Sequence, residues 1–321
     1  MTKPLVRIDP KLEFGEIGWL RHALSKAFAT TSQSFADGVC HCLTPNDLGA
    51  ALKAKRKHKR IVVSAFYCEA TKGGNFLKKT NDGWVLTKKA NRLLRIADAI
   101  TVPSEAMKIW FREFHIQTPI VALPPPSDRS TYLKVSPDES AAFRRYVGID
   151  VKEPYFLGRT KSDKKTLALL GSLGANLPKH KFVFVVYDNT ARRIRALKRR
   201  LPNNVLLTAE LPAGLAHAAI KDASAYISIT GIRPDFVYAN EAAVAGVQIF
   251  AYGEKALPPF IIGGKTGCVD TDPQSFFSHL NSWMLKEIPP TVQQAAYYTA
   301  PSTYKNTGQE LIALYRPRKG E

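Results

Sequence analysis

Residues 154–188 read PYFLGRTKSDKKTLALLGSLGANLPKHKFVFVVYD, and their pattern decides the fold. An apolar run at Tyr155–Gly158 gives way to a basic turn. Apolar residues at helical spacing follow from Lys164 to Leu173, and then the β-branched and aromatic run Lys181–Asp188. Uninterrupted apolar runs flanking a helix are what a parallel strand pair with a crossover helix requires, because such strands are covered on both faces. The alternation continues with a helix over Thr190–Arg200, strand NVLLTAE from Asn204, helix Ala213–Asp222, strand Ala225–Thr230, helix Ala239–Gly246 and strand Val247–Tyr252. The spacing predicts a doubly wound parallel sheet over residues 151–285.

A similar series precedes it. Phe14–Thr30 carries Ile17, Leu20, Leu24 and Phe28 at helical spacing, Asp37–Leu43 reads as a short strand, and Asp47–Lys57 as a helix ending in charge. Arg60–Tyr67 (RIVVSAFY) has the signature of a buried parallel strand. A polar loop containing Gly73-Gly74 and Asp82-Gly83 follows, then helix Thr87–Ile96, strand Ala99–Val102 and helix Ser104–Phe114 with Ser104 as its N-cap. Between the two series, Leu123-Pro124-Pro125-Pro126-Ser127-Asp128 suits neither helix nor inner strand and reads as a stiff connector. The expectation is therefore α/β, with two facing Rossmann-like domains. Residues 1–125 form the first, 126–150 a linker and helix (Ser136–Tyr146), and 151–285 the second. Residues 286–321 hold a C-terminal helix, Ser302–Tyr315, that packs back across the junction. A length of 321 residues suits two domains.

Composition narrows the class. Apolar residues make up 45% and charged residues 23%, as in globular rather than disordered chains. No apolar run approaches the roughly 20 residues that span a bilayer, and MTKPLVRIDPK lacks the apolar stretch of a secretion signal. A cytoplasmic location is expected. Cys40, Cys42, Cys68 and Cys268 form no CxxC pair and no zinc-ligand spacing. On a strand, Cys40 and Cys42 share one face and His41 the other, which suits a metal poorly. The net charge of +19 predicts a polyanionic partner, nucleic acid or an anionic membrane surface. A solvated basic surface kept for solubility is the alternative.

Ligands of such sheets bind beyond the carboxyl ends of the strands, so the loops after Tyr67, Val102, Gly158, Tyr187, Ala209, Thr230 and Tyr252 matter most. After YFLG come Arg159, Thr160, Lys161, Ser162, Asp163 and Lys164, and then a helix. Gly158 would let a phosphate approach the backbone, the helix start offers unpaired N–H groups, Arg159 can fork onto two phosphate oxygens, and Lys164 supplies a point charge. A diphosphate fits there without metal; a basic loop facing water is the alternative. After AYISIT comes the stretch from Gly231 through Arg233, Asp235 and Tyr238 to Glu241. A carboxylate in the first turn of a helix is favoured by the dipole, and from there Glu241 could bind the two hydroxyls of a ribose. It could equally be a helix-start residue only.

Four stretches in order, ADAITVPSEAMKIW, VALPPPSD, YFLGRTKSDKK and AYISIT with NEAAVAGVQIFAY, resemble the two-Rossmann (GT-B) glycosyltransferases, and more narrowly their retaining group that uses nucleotide-sugar donors. The resemblance covers about residues 97–285. It implies that Arg159 and Lys164 hold the donor diphosphate, that Glu241 is the second glutamate of a Glu-x7-Glu pattern and binds the ribose, and that Gly158, Gly231, Arg233 and Tyr238 complete the donor site. The first glutamate of the pattern is replaced by Arg233, with Asp235 close by as a catalytic candidate. No metal or cofactor is implied; the nucleotide sugar, expected to be a UDP-sugar, is the substrate. Arg233–Phe250, PPPSDRSTY and GRT also resemble phage DNA α-glucosyltransferases, which similarly carry an arginine eight residues before the glutamate. In the first domain relatives place a histidine or aspartate just after the strand matching RIVVSAFY; here Ala65, Phe66 and Tyr67 stand there. The nearest carboxylate, Glu69, could orient an acceptor hydroxyl or take its proton, or be a surface glutamate.

Two patterns mislead. Gly264-Lys265-Thr266 looks like the end of a P-loop, but Pro259 occupies the required first glycine. Asp270-Thr271-Asp272 looks like a metal-binding DxD but falls after the second sheet. The positive charge gathers in three clusters: Lys53–Arg60, at the sheet end away from the cleft; Lys72, Lys78, Lys79, Lys88, Lys89 and Arg92, on the cleft side; and the helix bearing Arg192, Arg193, Arg195, Lys198, Arg199 and Arg200. Lys72, Lys78, Lys79, Lys88, Lys89, Arg92, Arg192 and Arg193 are the expected acceptor or DNA contacts. The function expected is transfer of a hexose to a modified base in DNA. The alternatives are a membrane-surface glycolipid glycosyltransferase and a catalytically silent binding subunit of the same fold.

Overall fold

Short runs of β-branched residues, each followed by a helix, build the first half of the chain into a parallel sheet. The computed structural model describes residues 38–65, 76–80, 83–103, 105–123, 126–160, 162–186, 191–229, 236–253, 267–285 and 304–316. The helix expected over Phe14–Thr30 lies outside them. The chain divides into two compact units, Met1–Pro126 with Pro301–Glu321, and Ser127–Ala300.

In the first unit the described elements are β1 (Val39–Cys42), α1 (Leu48–Arg56), β2 (Arg60–Ser64), β3 (Leu77–Thr80), β4 (Gly83–Leu86), α2 (Lys88–Ile96), β5 (Ala99–Val102), α3 (Glu105–Arg112) and β6 (Ile120–Ala122). The strands β1-β2-β5-β6 form one sheet, all parallel. That order advances in one direction, so right-handed crossovers put α1, α2 and α3 on one face. The expected strand over Arg60–Tyr67 ends at Ser64. The loop expected after it contains an antiparallel hairpin, β3 with β4. Capping follows the sequence: Thr87 Oγ1 accepts from the Ala90 amide at 3.2 Å to open α2, and Asp47 Oδ2 accepts from the amides of Leu43 and Thr44, each at 2.9 Å, ahead of α1.

The second unit holds α4 (Arg129–Leu133), α5 (Pro137–Val147), β7 (Tyr155–Thr160), α6 (Lys164–Asn176), β8 (Lys181–Val186), α7 (Ala191–Lys198), β9 (Val205–Thr208), α8 (Ala213–Lys221), β10 (Ala225–Ile229), α9 (Phe236–Ala245), β11 (Ile249–Tyr252), β12 (Gly267–Asp270) and α10 (Pro273–Met284). Its six-stranded sheet has the order β12-β11-β10-β7-β8-β9, parallel throughout. The sequence runs outward from β7 in one direction and then returns to run outward in the other, so the switch point lies between β7 and β10. One face of the sheet packs Phe156, Phe182, Phe184 and Phe250 against Leu170 and Leu173 of α6, Ile194 of α7, and Phe276 and Leu280 of α10. Burying each such phenylalanine contributes about 1.5–3 kcal/mol. The opposite face meets α5 and α8: the Tyr155 ring lies tilted against Phe143, and its hydroxyl donates to the Ala219 carbonyl at 2.7 Å.

The last described helix, α11 (Tyr304–Tyr315), belongs to the first unit. Leu311 and Tyr315 pack with Leu43, Val62 and Leu123, and Arg60 Nε donates to the Leu314 carbonyl at 2.7 Å. Its deepest polar contact is a chain of hydroxyls through His41. Nδ1 lies 2.6 Å from the Tyr315 hydroxyl, Nε2 lies 2.7 Å from Ser64 Oγ, and Ser64 Oγ lies 2.8 Å from Thr101 Oγ1.

Candidate functional site

Two of the strands whose following loops are expected to carry chemistry, β7 and β10, flank the switch point of the second unit. Arg159 is the penultimate residue of β7, and its Cα partner on β10 is Ser228. This differs from the expectation in one respect: β7 continues to Thr160, so Gly158 and Arg159 lie in the strand rather than in a loop after it. The glycine has a packing cause. A Cβ at Gly158 would stand 2.4 Å from Phe184 Cε1 and 2.8 Å from the Ile227 carbonyl oxygen, so sheet packing by itself requires glycine here.

Arg159 is 5% exposed and already engaged. Its Nε donates to Glu210 Oε1 at 3.1 Å, and its Nη2 makes a shorter contact with the same oxygen. The guanidinium carbon lies 4.6 Å from the centre of the Tyr238 ring, and the Tyr238 hydroxyl donates to Glu210 Oε2 at 2.9 Å. The expected open fork is instead a buried cluster, because burying a guanidinium is costly unless a carboxylate lies beside it. A phosphate reaching Arg159 must share it with Glu210. Glu210 follows β9, in one of the loops expected to matter, yet no local signal in the sequence pairs it with an arginine two strands away.

Lys164 opens α6 and is exposed. Asp163 caps the helix, with Oδ1 accepting from the Thr166 amide and Oδ2 from Thr166 Oγ1, both at 2.9 Å. Lys164 and Lys165 stand in a first turn that carries no acidic residue. Cations at that end oppose the helix dipole, and the capping carboxylate of Asp163 offsets them. An anion would satisfy both lysines and the dipole.

Glu241 departs from the expectation in position. α9 starts at Phe236, so Glu241 lies in the second turn and not the first, and the dipole does not account for it. It is 3% exposed, on a helix buried from Tyr238 to Val244. Its Oε2 accepts from Ser127 Oγ at 2.9 Å and, more closely, from the Tyr132 hydroxyl. Tyr238 and Glu241 are three residues apart and share one side of α9, so that side touches both the Arg159 cluster and the Glu241 contacts. Ser127 and Tyr132, expected only as connector, are functional candidates that the sequence did not single out. Asp128 ahead of Arg129 is the helix-cap signal that would have found them: its Oδ1 accepts from the Ser130 amide at 2.9 Å.

Glu69, Lys72, Gly231, Arg233 and Asp235 lie outside the described residues, as do the side chains of Lys79 and Arg192. The remaining basic candidates sit on two faces. Lys88, Lys89 and Arg92 are exposed on α2, and Lys78 on β3; Arg193 is exposed on α7 in the second unit. α2 packs beside α1, whose Lys53, Lys55 and Arg56 are also exposed. Neither helix contains an acidic residue. Both run antiparallel to the strands they connect, so the shared surface reaches from Lys88 at the carboxyl end of the sheet to Lys55 and Arg56 at the amino end.

The DxD-like stretch has structural partners. Asp270 ends β12 and its carboxylate lies 3.0 Å from His279 Nδ1. Asp272 caps α10 by accepting from the Ser275 amide at 2.9 Å; hydrogen bonds from Ser275 hold its carboxyl below the usual range. Cys40 and Cys42 place their sulfurs 3.8 Å apart. Among the described residues no group of three or more His, Cys, Asp or Glu side chains could hold a metal ion, and no helix is long and apolar enough to cross a membrane.

No family model matches the chain, and no curated protein matches it. Solved structures do. Anabaena HepE in complex with UDP-glucose aligns with a TM-score of 0.65 at 13% identity, covering 93% of this chain and 83% of that one. Sucrose-phosphate synthase from Thermosynechococcus elongatus aligns at 0.65 and 15% identity, covering 98% and 81%. A glycosyltransferase from Rickettsia africae aligns at 0.65 and 11% identity, covering 98% and 83%. What these identities share is the fold: two Rossmann-like units, the GT-B architecture expected from the sequence.

Proposed function

We propose that the protein is a glycosyltransferase that binds a UDP-sugar at the switch point of its second unit and passes the hexose to a hydroxyl acceptor on an anionic surface. The observation that supports this is the placement of three groups on β7, α6 and α9. Arg159 is the penultimate residue of β7, Lys164 is the first residue of α6, and Glu241 lies on the side of α9 that Tyr238 turns toward Arg159. Two cations suit a diphosphate and a carboxylate suits a ribose. That HepE is solved with UDP and with UDP-glucose supports a uridine donor. The diphosphate takes the exposed ammonium of Lys164 and shares Arg159 with Glu210. Following the resemblance, transfer proceeds without metal and with retention at the anomeric carbon. The leaving diphosphate helps accept the proton of the acceptor hydroxyl, with Glu69 and Asp235 as protein candidates for that role.

The acceptor reading rests on the joined face of α1 and α2, with exposed cations and no carboxylate. A hydroxymethylated base in DNA and a glycolipid at an anionic bilayer both bring a hydroxyl inside a field of phosphates.

The test is transfer from labelled UDP-glucose to hydroxymethylated DNA or to anionic vesicles carrying a glycolipid acceptor, for the wild type and Lys164→Ala. Sugar found in one acceptor identifies it. Lys164→Ala is expected to weaken UDP binding about tenfold, the order of one charge-assisted hydrogen bond. Undiminished affinity in that variant would remove the diphosphate assignment. UDP binding with no transfer to either acceptor would leave a silent binding subunit.

A further inference from the structure

We infer that Ser127 and Tyr132 are positioning residues that orient the carboxylate of Glu241 for a nucleotide ribose, so that the segment after the proline connector sets the preference for ribonucleotide over deoxyribonucleotide donors. The inference rests on the nucleotide reading above and deepens it.

Three observations carry it. First, Ser127 Oγ donates to Glu241 Oε2 at 2.9 Å and the Tyr132 hydroxyl donates to the same oxygen. Two donors on one oxygen fix the plane of the carboxylate, and a fixed plane gives the second oxygen a single direction. A ribose presents two neighbouring hydroxyls, and a carboxylate receives such a pair well only when its plane is set in advance.

Second, all three side chains are buried. A buried carboxylate needs donors, and the Ser127 and Tyr132 hydroxyls supply two of them.

Third, the local structure exists to hold those hydroxyls. α4 has five residues, fewer than a helix needs for stability of its own. It is held at its start by Asp128, whose Oδ2 accepts from Ser130 Oγ at 2.8 Å. On its inner side the Tyr132 ring meets His217 of α8 edge-on, with centroids 5.6 Å apart. The connection from α4 to α5 is tied in as well, through Lys221 Nζ of α8 donating to the Val135 carbonyl at 2.9 Å.

Calorimetric titration of the whole protein with UDP, 2′-deoxy-UDP and pyrophosphate tests this in the wild type, Tyr132→Phe and Ser127→Ala. The wild type is expected to prefer UDP to 2′-deoxy-UDP about tenfold, as the loss of one hydrogen bond to a charged group predicts. Both variants are expected to lose most of that preference through weaker UDP binding, while 2′-deoxy-UDP and pyrophosphate bind as before. A preference that survives in both variants overturns the inference, and so does an equal weakening of all three ligands, which marks a role in folding alone. Should Tyr132→Phe fail to fold, Ser127→Ala carries the test, since it removes one hydroxyl and little volume. A wild type that binds UDP without preferring it removes Glu241 from the ribose, and the inference with it. A wild type that binds no UDP overturns the nucleotide reading itself.

Discussion

With Nδ1 on the Tyr315 hydroxyl and Nε2 on that of Ser64, His41 sits where water does not reach, and burial alone pushes its pKa down to about 4. The folded state thus holds the neutral imidazole, while the unfolded chain takes a proton near pH 6.5. Between those values the unfolded state binds more protons, so stability falls as pH is lowered from about 6.5 to about 4 and is constant beyond either end. The loss amounts to roughly 3 kcal/mol for this one group. Urea midpoints at pH 7 and pH 4.5 measure it, and His41→Gln should show a correspondingly smaller difference between the two. Gly158 offers a second check. Gly158→Ala drives a methyl into the Phe184 ring and toward the Ile227 carbonyl, and is expected to destabilise by about 1–3 kcal/mol, the usual cost of overpacking. A midpoint unchanged from wild type would show that Phe184 yields. At this scale the sequence was a partial guide. It singled out Arg159, Lys164 and Glu241, because charge close to a strand end or a helix start is visible in one dimension. It did not show Glu210, Ser127 or Tyr132, because what makes them matter is a partner 51, 114 or 109 residues away.

Elements were legible where burial makes the pattern strong. β5 and β11 end where their loops were expected, after Val102 and Tyr252, and the runs from Tyr155 and Lys181 are strands buried on both faces. Legibility failed where a strand is short or basic. β3 and β4 read LKKT and GWVL, with no apolar alternation, so their pairing is set by the antiparallel ladder and not by a hydrophobic period. β12, four residues at the edge of the second sheet, was missed for the same reason, and α10 with it. The start of α9 lies three residues before the expected Ala239, which changed the account of Glu241 from a dipole effect to a buried contact. One helix end yields a prediction. His58 closes α1 at φ 53°, with the Lys59 amide on the Ala54 carbonyl at 3.0 Å. A side chain in that left-handed conformation costs about 1–2 kcal/mol, which glycine avoids. His58→Gly is therefore expected to raise the thermal midpoint, by the equivalent of about 0.5–1 kcal/mol after glycine's extra chain entropy is subtracted. A lowered midpoint would mean that the imidazole makes a compensating contact.

For the molecule as a whole, the question is whether +19 acts as a diffuse field or through a surface. A diffuse field predicts that any four cations are equivalent. The packing of α1 beside α2 predicts otherwise, because Lys53, Lys55, Arg56, Lys88, Lys89, Arg92 and Arg95 are exposed on two adjoining helices that carry no acid. Lys55→Gln, Arg56→Gln, Lys88→Gln and Arg92→Gln together leave a net charge of 19 − 4 = +15, still strongly basic. Neutralising four cations on α7 and its C-terminal turn instead, Arg193, Arg195, Lys198 and Arg199, gives the same total on the second unit. Every duplex phosphate that a variant ceases to neutralise takes about 0.9 from the slope of log affinity against log salt. If all four groups of the first set meet phosphates, its slope should fall by about 3–4, whereas the second set should lower affinity slightly with a nearly unchanged slope. Fluorescence anisotropy on a short duplex across a salt series reads both quantities. Equal effects from the two sets would mean that the charge works through total field alone, and that the acceptor is placed by groups other than this face. A flat salt dependence in the wild type would exclude phosphates as the principal contact, leaving the sugar acceptor to be recognised by hydrogen bonds and shape.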